Sequence, residues 1–194
     1  MQYKSKVITH AFTIKAEGRV TSILMDIEIT VVGNPLQSVK TKAIWDIGAT
    51  NTVITKEVVS KLCLVSSGFT QVNTASENNK TTNTYVVDLK LKSDVTVSAV
   101  QVTEGVILSE KGIDFLLGMD IITLGDFSIT NFEGKTIMSF RIPSSHKVDF
   151  VEKLNSEAAI ISRHFNSRKN LNHMCSCGSG RKFKNCHGKN IEEV

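Results

Sequence analysis

From the N-terminus to about Arg141 the chain alternates apolar and polar residues with the two-residue period of half-buried strands. The segments KVITHAFTIKA, VTSILMDIEITVV, TKAIWDI, NTYVVDLKLKSDVTVSAVQV and FSITNFEGKTIMSFRI are rich in Val, Ile, Thr and Phe. Glu17-Gly18, Gly33-Asn34-Pro35 and Glu133-Gly134 separate them as turn signals. Two short helices are predicted within this region, Lys56–Leu62 behind Thr55 as N-cap and Met119–Leu124 directly after Gly118. Beyond Pro143 the period changes. Val148, Val151, Leu154, Ala158, Ile161 and Phe165 recur at roughly helical spacing, which predicts one amphipathic helix. Its apolar stripe needs a partner, either the body or a second subunit, and structural packing is the simpler expectation. Three divisions follow: a mainly β body over 1–142, a helical linker over 143–170, and a cysteine-bearing tail over 171–194.

A chain of 194 residues suits one ordinary domain with an appendage, and 41% hydrophobic with 22% charged residues is a globular composition. No run of about 18 apolar residues is present, which excludes a helical membrane span. The first residues contain no continuous apolar stretch, so no secretory leader is expected and a cytoplasmic protein is the default. Net charge changes the picture by its placement. Residues 1–142 hold 14 Lys/Arg against 14 Asp/Glu, whereas 143–194 hold 9 against 5, so 9 − 5 supplies the whole +4. That excess suits contact with an acidic partner, or simply solubility. Aromatic residues make up 6% of the chain, too few to favour nucleic-acid binding by stacking. Of the four cysteines, Cys63 lies in the apolar stretch VVSKLCLV and reads as a core residue.

One segment carries candidate chemistry in the body: Ala43-Ile44-Trp45-Asp46-Ile47-Gly48-Ala49-Thr50-Asn51-Thr52-Val53-Ile54. An apolar strand ends in a carboxylate, a glycine follows two residues on, and a second apolar strand begins after small residues. Gly48 would let the loop turn tightly through angles closed to other residues. Alone, such a triplet is an ordinary turn carboxylate. Downstream, Asp114-Phe115-Leu116-Leu117-Gly118-Met119-Asp120-Ile121-Ile122 follows, with Gly118 lying 118 − 46 = 72 residues after Asp46. Between the two blocks lies a polar stretch over 73–84, then the strand pair Tyr85–Leu91 and Val95–Val102. In order and spacing these three parts resemble the retropepsin-like, or retroviral-type, aspartic proteases: the Asp-Thr/Ser-Gly-Ala loop, the flap, and the apolar-apolar-Gly-x-Asp segment. The resemblance covers roughly residues 10–142.

It implies a closed β-barrel half-protease whose catalytic residue is Asp46, in an active-site loop of Ile47, Gly48, Ala49 and Thr50. A single chain has one such loop, so the resemblance also implies a homodimer acting on a peptide or protein substrate, with two Asp46 carboxylates sharing one proton. Ile47 stands where the family has Thr or Ser, whose hydroxyl bonds across the dimer. The flap stretch contains no glycine, leaving Asn78-Asn79 to make its turn. Asp120 reads as a structural cap or pairing partner near the helix start, and Asp114 and Asp126 as solvated. Those two departures keep open a second reading, a protease-fold dimer that serves as a protein-binding scaffold.

In the tail, Cys175-x-Cys177 and Cys186-His187 flank eight residues that include Gly178-Ser179-Gly180. Three thiols and an imidazole suit a closed, tetrahedral, structural Zn²⁺ site, which would hold together a peptide too short for its own core. His173 is the competing ligand. The run resembles the SEC-C motif, with Ser176 in place of the usual Pro. That resemblance implies an adaptor whose Arg181, Lys182, Lys184 and Lys189 meet an acidic protein surface.

Overall fold

The computed structural model describes residues 8–73, 79–107, 112–167 and 170–189. It separates into two compact units, Met1–Ser145 and His146–Val194.

Among the described residues of the first unit the two-residue period becomes ten strands. Six of them close on themselves: β2 (Ile23–Val31), β3 (Asn34–Trp45), β4 (Val53–Ile54), β6 (Lys80–Lys90), β7 (Thr96–Glu104) and β8 (Ile113–Leu117). Their order is β2-β3-β8-β4-β7-β6, and β6 returns to β2 through Val87–Lys90. This is a closed β-barrel. β5 (Gly68–Val72) adds to the outer end of β6. A separate three-stranded sheet has the order β1 (His10–Lys15), β10 (Ile137–Ile142), β9 (Asp126–Thr130).

Alternation along each strand fills the barrel. Ile27 and Ile29 of β2, Ala43 and Trp45 of β3, Val87 and Leu89 of β6, and Phe115 and Leu117 of β8 are all buried. Behind Trp45 lies an aromatic cluster, with ring centroids 5.2 Å away at Phe140 and 5.4 Å away at Phe127. The last residue before the candidate loop is therefore fixed by packing on both sheets.

Two short helices, α1 (Lys56–Lys61) and α2 (Met119–Ile122), sit where the sequence predicts them. Thr55 occupies the N-cap position of α1, but its hydroxyl makes no capping bond. Cys63 departs from its expected core place. It is exposed with φ +45° just past α1, because the chain leaves the helix through a left-handed turn there. Asp126 is not solvated either. Its carboxylate accepts from Arg141 Nε at 3.0 Å, from Arg141 Nη2, from Ser144 Oγ and from Ser145 N at 2.9 Å. Asp114 accepts from Thr41 Oγ1 at 2.9 Å.

The second unit contains α3 (Phe150–Asn166), with Asp149 as N-cap accepting from Glu152 N at 3.0 Å. It also contains a compact knuckle over 170–189. Only the last turn of α3 is buried: His164 stacks on Phe183 with centroids 3.7 Å apart, and Phe165 meets the same ring edge-on at 5.6 Å. The expected packing of the apolar stripe is therefore confined to its end. Val148, Val151 and Leu154 are 70%, 68% and 64% exposed.

Candidate functional site

β3 and β4 lie on opposite edges of β8, β3 parallel to it and β4 antiparallel. The connection over 46–52 must therefore cross the end of β8, where Gly118 stands. A Cβ at Gly118 would lie 2.6 Å from the carbonyl carbon and oxygen of Asn51, so no side chain fits beneath the loop. Backbone bonds then tie the two together: Asp46 N to Leu117 O at 3.0 Å, Met119 N to Ala49 O at 2.8 Å, Asp120 N to Thr50 O at 3.2 Å.

Beneath the loop sits a small polar network. Thr52, fully buried, donates its N–H to Asp120 Oδ2 at 2.9 Å and its hydroxyl to Asp120 Oδ1 at 2.7 Å. The same hydroxyl oxygen accepts from Gly118 N at 3.2 Å. Asp120 also accepts from Ile121 N at 2.9 Å, as a carboxylate in the first turn of a helix should. It pairs structurally at the helix start, chiefly with Thr52. Thr52, its main partner, carried no signal in the sequence beyond its place between the loop and β4.

Asp46 itself is half-buried at the barrel rim and accepts from Gly48 N at 2.8 Å. Gly48 does not have the left-handed backbone expected of it. Close approach is the constraint instead, since a Cβ there would lie 3.2 Å from Asp46 Oδ1. Ile47 is 67% exposed and Thr50 is exposed, while Ala49 is half-buried. An open pocket of about 400 Å³ adjoins the loop, walled by Asn51, Thr70, Thr84, Thr103 and Asp120 among others; Asp46 is not part of its wall.

The flap region differs in extent from its prediction. β5, absent from the expected elements, pairs antiparallel with the first half of β6 from Gly68↔Thr84 to Val72↔Lys80. Residues 80–84 are thus strand, and the hairpin tip is shorter than the polar stretch suggests. Asn78 lies outside the described residues. Asn79 takes φ +54° and donates its N–H to Asn73 Oδ1 at 2.9 Å.

The knuckle gathers the four predicted tail residues. One ligand atom from each of Cys175, Cys177, Cys186 and His187 lies within 4.8 Å of all the others. Cys177 and Cys186 Sγ are 3.7 Å apart, and His187 Nδ1 is 3.3 Å from both Cys175 Sγ and Cys186 Sγ. Two thiolates each about 2.3 Å from one tetrahedral centre stand roughly 3.8 Å apart, so the spacing fits a metal ion. Ser179, which donates toward the sulfur through hydroxyl and backbone, holds the Cys177 thiol down to about 6. Burial pushes Cys175 the other way. Gly178 and Gly180 take φ +79° and +68°, the left-handed turns that fold the chain around the cluster. His173 is not in it: its Nδ1 is occupied by Asn170 N at 3.1 Å and Asn170 Oδ1 at 2.9 Å.

Comparison with known proteins places both parts. Residues 27–123, half of the chain, match the family model described as "gag-polyprotein putative aspartyl protease". The chain belongs to that family. The matched span begins in β2 and ends just past α2, so it contains the Asp46 loop, the flap hairpin and the Gly118 crossing. Residues 172–189 match the SEC-C motif, which takes in all four clustered residues. Among solved structures, a retropepsin-like aspartic protease from Rickettsia conorii is 19% identical over 71% of this chain and 98% of that one, with a TM-score of 0.44. The retroviral protease-like domain of Ddi1 from Leishmania major is 14% identical over 57% and 82%, with a TM-score of 0.36. A foamy viral protease–reverse transcriptase is 17% identical over 52% of this chain and 11% of that one, also at 0.36. No curated protein matches the chain. Among the described residues no helix is long and apolar enough to cross a membrane.

Proposed function

We propose that the protein is an aspartic endopeptidase that works as a homodimer, with Asp46 from each subunit. The observation that carries this reading is the loop itself. A carboxylate sits at the mouth of a closed barrel, on a backbone pinned by Gly118, Met119 and Asp120, beside an isoleucine left 67% exposed. A second copy of the same face would supply the missing carboxylate and cover Ile47. Two such carboxylates cannot both ionise easily, so one stays protonated. The ionised one takes a proton from water, and the water oxygen bonds to the scissile carbonyl carbon. Its protonated mate gives its proton to the carbonyl oxygen. The carbon–nitrogen bond then breaks as nitrogen receives a proton. Gly48, Ala49 and Thr50 hold the loop in place.

Division of labour follows the residue ranges 1–142 for the protease body, 143–170 for the helical linker and 171–194 for the metal tail. In the tail, Cys175, Cys177, Cys186 and His187 would hold Zn²⁺ with no open position, giving the knuckle structural rigidity. Arg181, Lys182, Lys184 and Lys189 are all exposed and suit an acidic protein surface. Phe183, the one aromatic in the basic run, is fully buried and unavailable for base stacking, which speaks against nucleic acid. Metal-binding thiols fit a reducing, cytoplasmic setting.

Cleavage of an unfolded protein across pH 4–8 by wild type, and its loss in Asp46→Asn, tests the reading. Equal cleavage by both, or none by either, would favour the scaffold alternative. Ile47 is the observation on that side, since it cannot make the hydroxyl bond across the dimer that a Thr or Ser would.

A further inference from the structure

We propose that α3 is a dimerisation helix, pairing in parallel with α3 of a second copy. This rests on the homodimer reading above and adds a second contact to it. Val151, Leu154, Ala158, Ile161 and Phe165 are spaced three, four, three and four residues apart, the alternation of heptad positions a and d. Every residue at those five positions is apolar. The repeat is a narrow seam suited to one neighbouring helix and not a broad face suited to a sheet. A β-branched residue at the first a position and leucine at the first d position favour two strands.

The seam is open over its N-terminal half. Val151 and Leu154 are 68% and 64% exposed, and Phe150 flanks them at 69%. The C-terminal end is used within the unit: Ile161 is half-buried, Ser176 Oγ donates to Ile160 O at 3.5 Å, and His164 and Phe165 hold Phe183. The flanking e and g positions in parallel pairing are Asn155, Ser162, Phe150, Glu157 and His164, so no run of like charge opposes a second copy. The helix as a whole carries Glu152, Glu157, Lys153 and Arg163, a net charge of zero, which gives an anionic membrane nothing to attract. Five seam positions span little more than two heptads, too few to pair in isolation. Joined to protease bodies that already dimerise, the two helices meet at high effective concentration.

The experiment uses the 194-residue chain carrying Cys63→Ser. Leu154→Cys should form a disulfide-linked dimer on mild oxidation, whereas Lys153→Cys, one position outside the seam, should not. Sedimentation equilibrium should show Leu154→Asp raising the dimer dissociation constant at least tenfold, with cleavage restored at high protein concentration. A dimer that survives Leu154→Asp unchanged, or that cross-links equally through Lys153→Cys, overturns the pairing and leaves the protease reading intact. No cross-link through Leu154→Cys, together with a lower melting temperature in Leu154→Asp, would show that the seam packs within its own chain. A wild type that is monomeric at every concentration overturns both readings.

Discussion

Thr52 offers the sharpest test of how the Asp46 loop is held. Thr52→Val keeps the shape of the side chain and removes its hydroxyl. Two bonds are lost: the one donated to the Asp120 carboxylate at 2.7 Å and the one accepted from Gly118 N at 3.2 Å. A hydrogen bond to a charged group contributes about 1.5–3 kcal/mol, and a buried N–H left without an acceptor costs about 1–3 kcal/mol. Asp120 is half-buried, so water recovers part of the first loss. The sum is about 3 kcal/mol. Urea unfolding followed by Trp45 fluorescence reports on it directly, because Trp45 is the only tryptophan and is buried behind the loop. Thr50→Val, on the exposed side of the same loop, is the control and should change stability by less than about 0.5 kcal/mol. If Thr52→Val matches that control, the network is not what holds the loop, and the account of its rigidity is wrong.

Other expectations follow from the same structure. Purified chain should contain about one zinc per molecule, and Cys177→Ser should lose most of it; unchanged content in elemental analysis would refute the four-ligand site. Gly188→Ala should also lower metal content without touching a ligand, since its Cβ would lie 2.5 Å from the Phe183 ring and displace the residue on which the knuckle packs. The Glu152 N–H that Asp149 accepts, and then Lys147, hold the Asp149 carboxyl below its ordinary 3.8. The helix stability this group contributes is therefore present above that value and lost as pH falls through the depressed one. Circular dichroism should show α3 fraying below about pH 4, and Asp149→Asn, a cap that does not titrate, should remove that part of the pH dependence.

Strand alternation made most of the barrel legible in the sequence, because one face of each strand is buried and the other is not. The two short helices were legible through Thr55 and Gly118. β5 was not: GFTQV is five residues long at a sheet edge, and its apolar Phe69 is exposed, so burial imprints no pattern on it. The loop after β3 and the cluster of three cysteines and a histidine could be read from local motifs, since their neighbours in sequence are also their neighbours in space. The bonds from Thr52 to Asp120 and from Arg141 to Asp126 join residues 68 and 15 positions apart and leave no local trace. Gly48 does not need its freedom of φ here. Its constraint is the nearness of Asp46 Oδ1, which only coordinates reveal.

A mixing experiment bears most directly on the claim that one chain holds only half an active site. Wild type is titrated with Asp46→Asn at fixed total concentration, after exchange, and cleavage is followed. With one carboxylate required from each subunit, an equimolar mixture leaves about a quarter of the dimers active, so activity per wild-type chain falls by half. Activity per wild-type chain that stays constant throughout the titration would mean that each subunit acts alone.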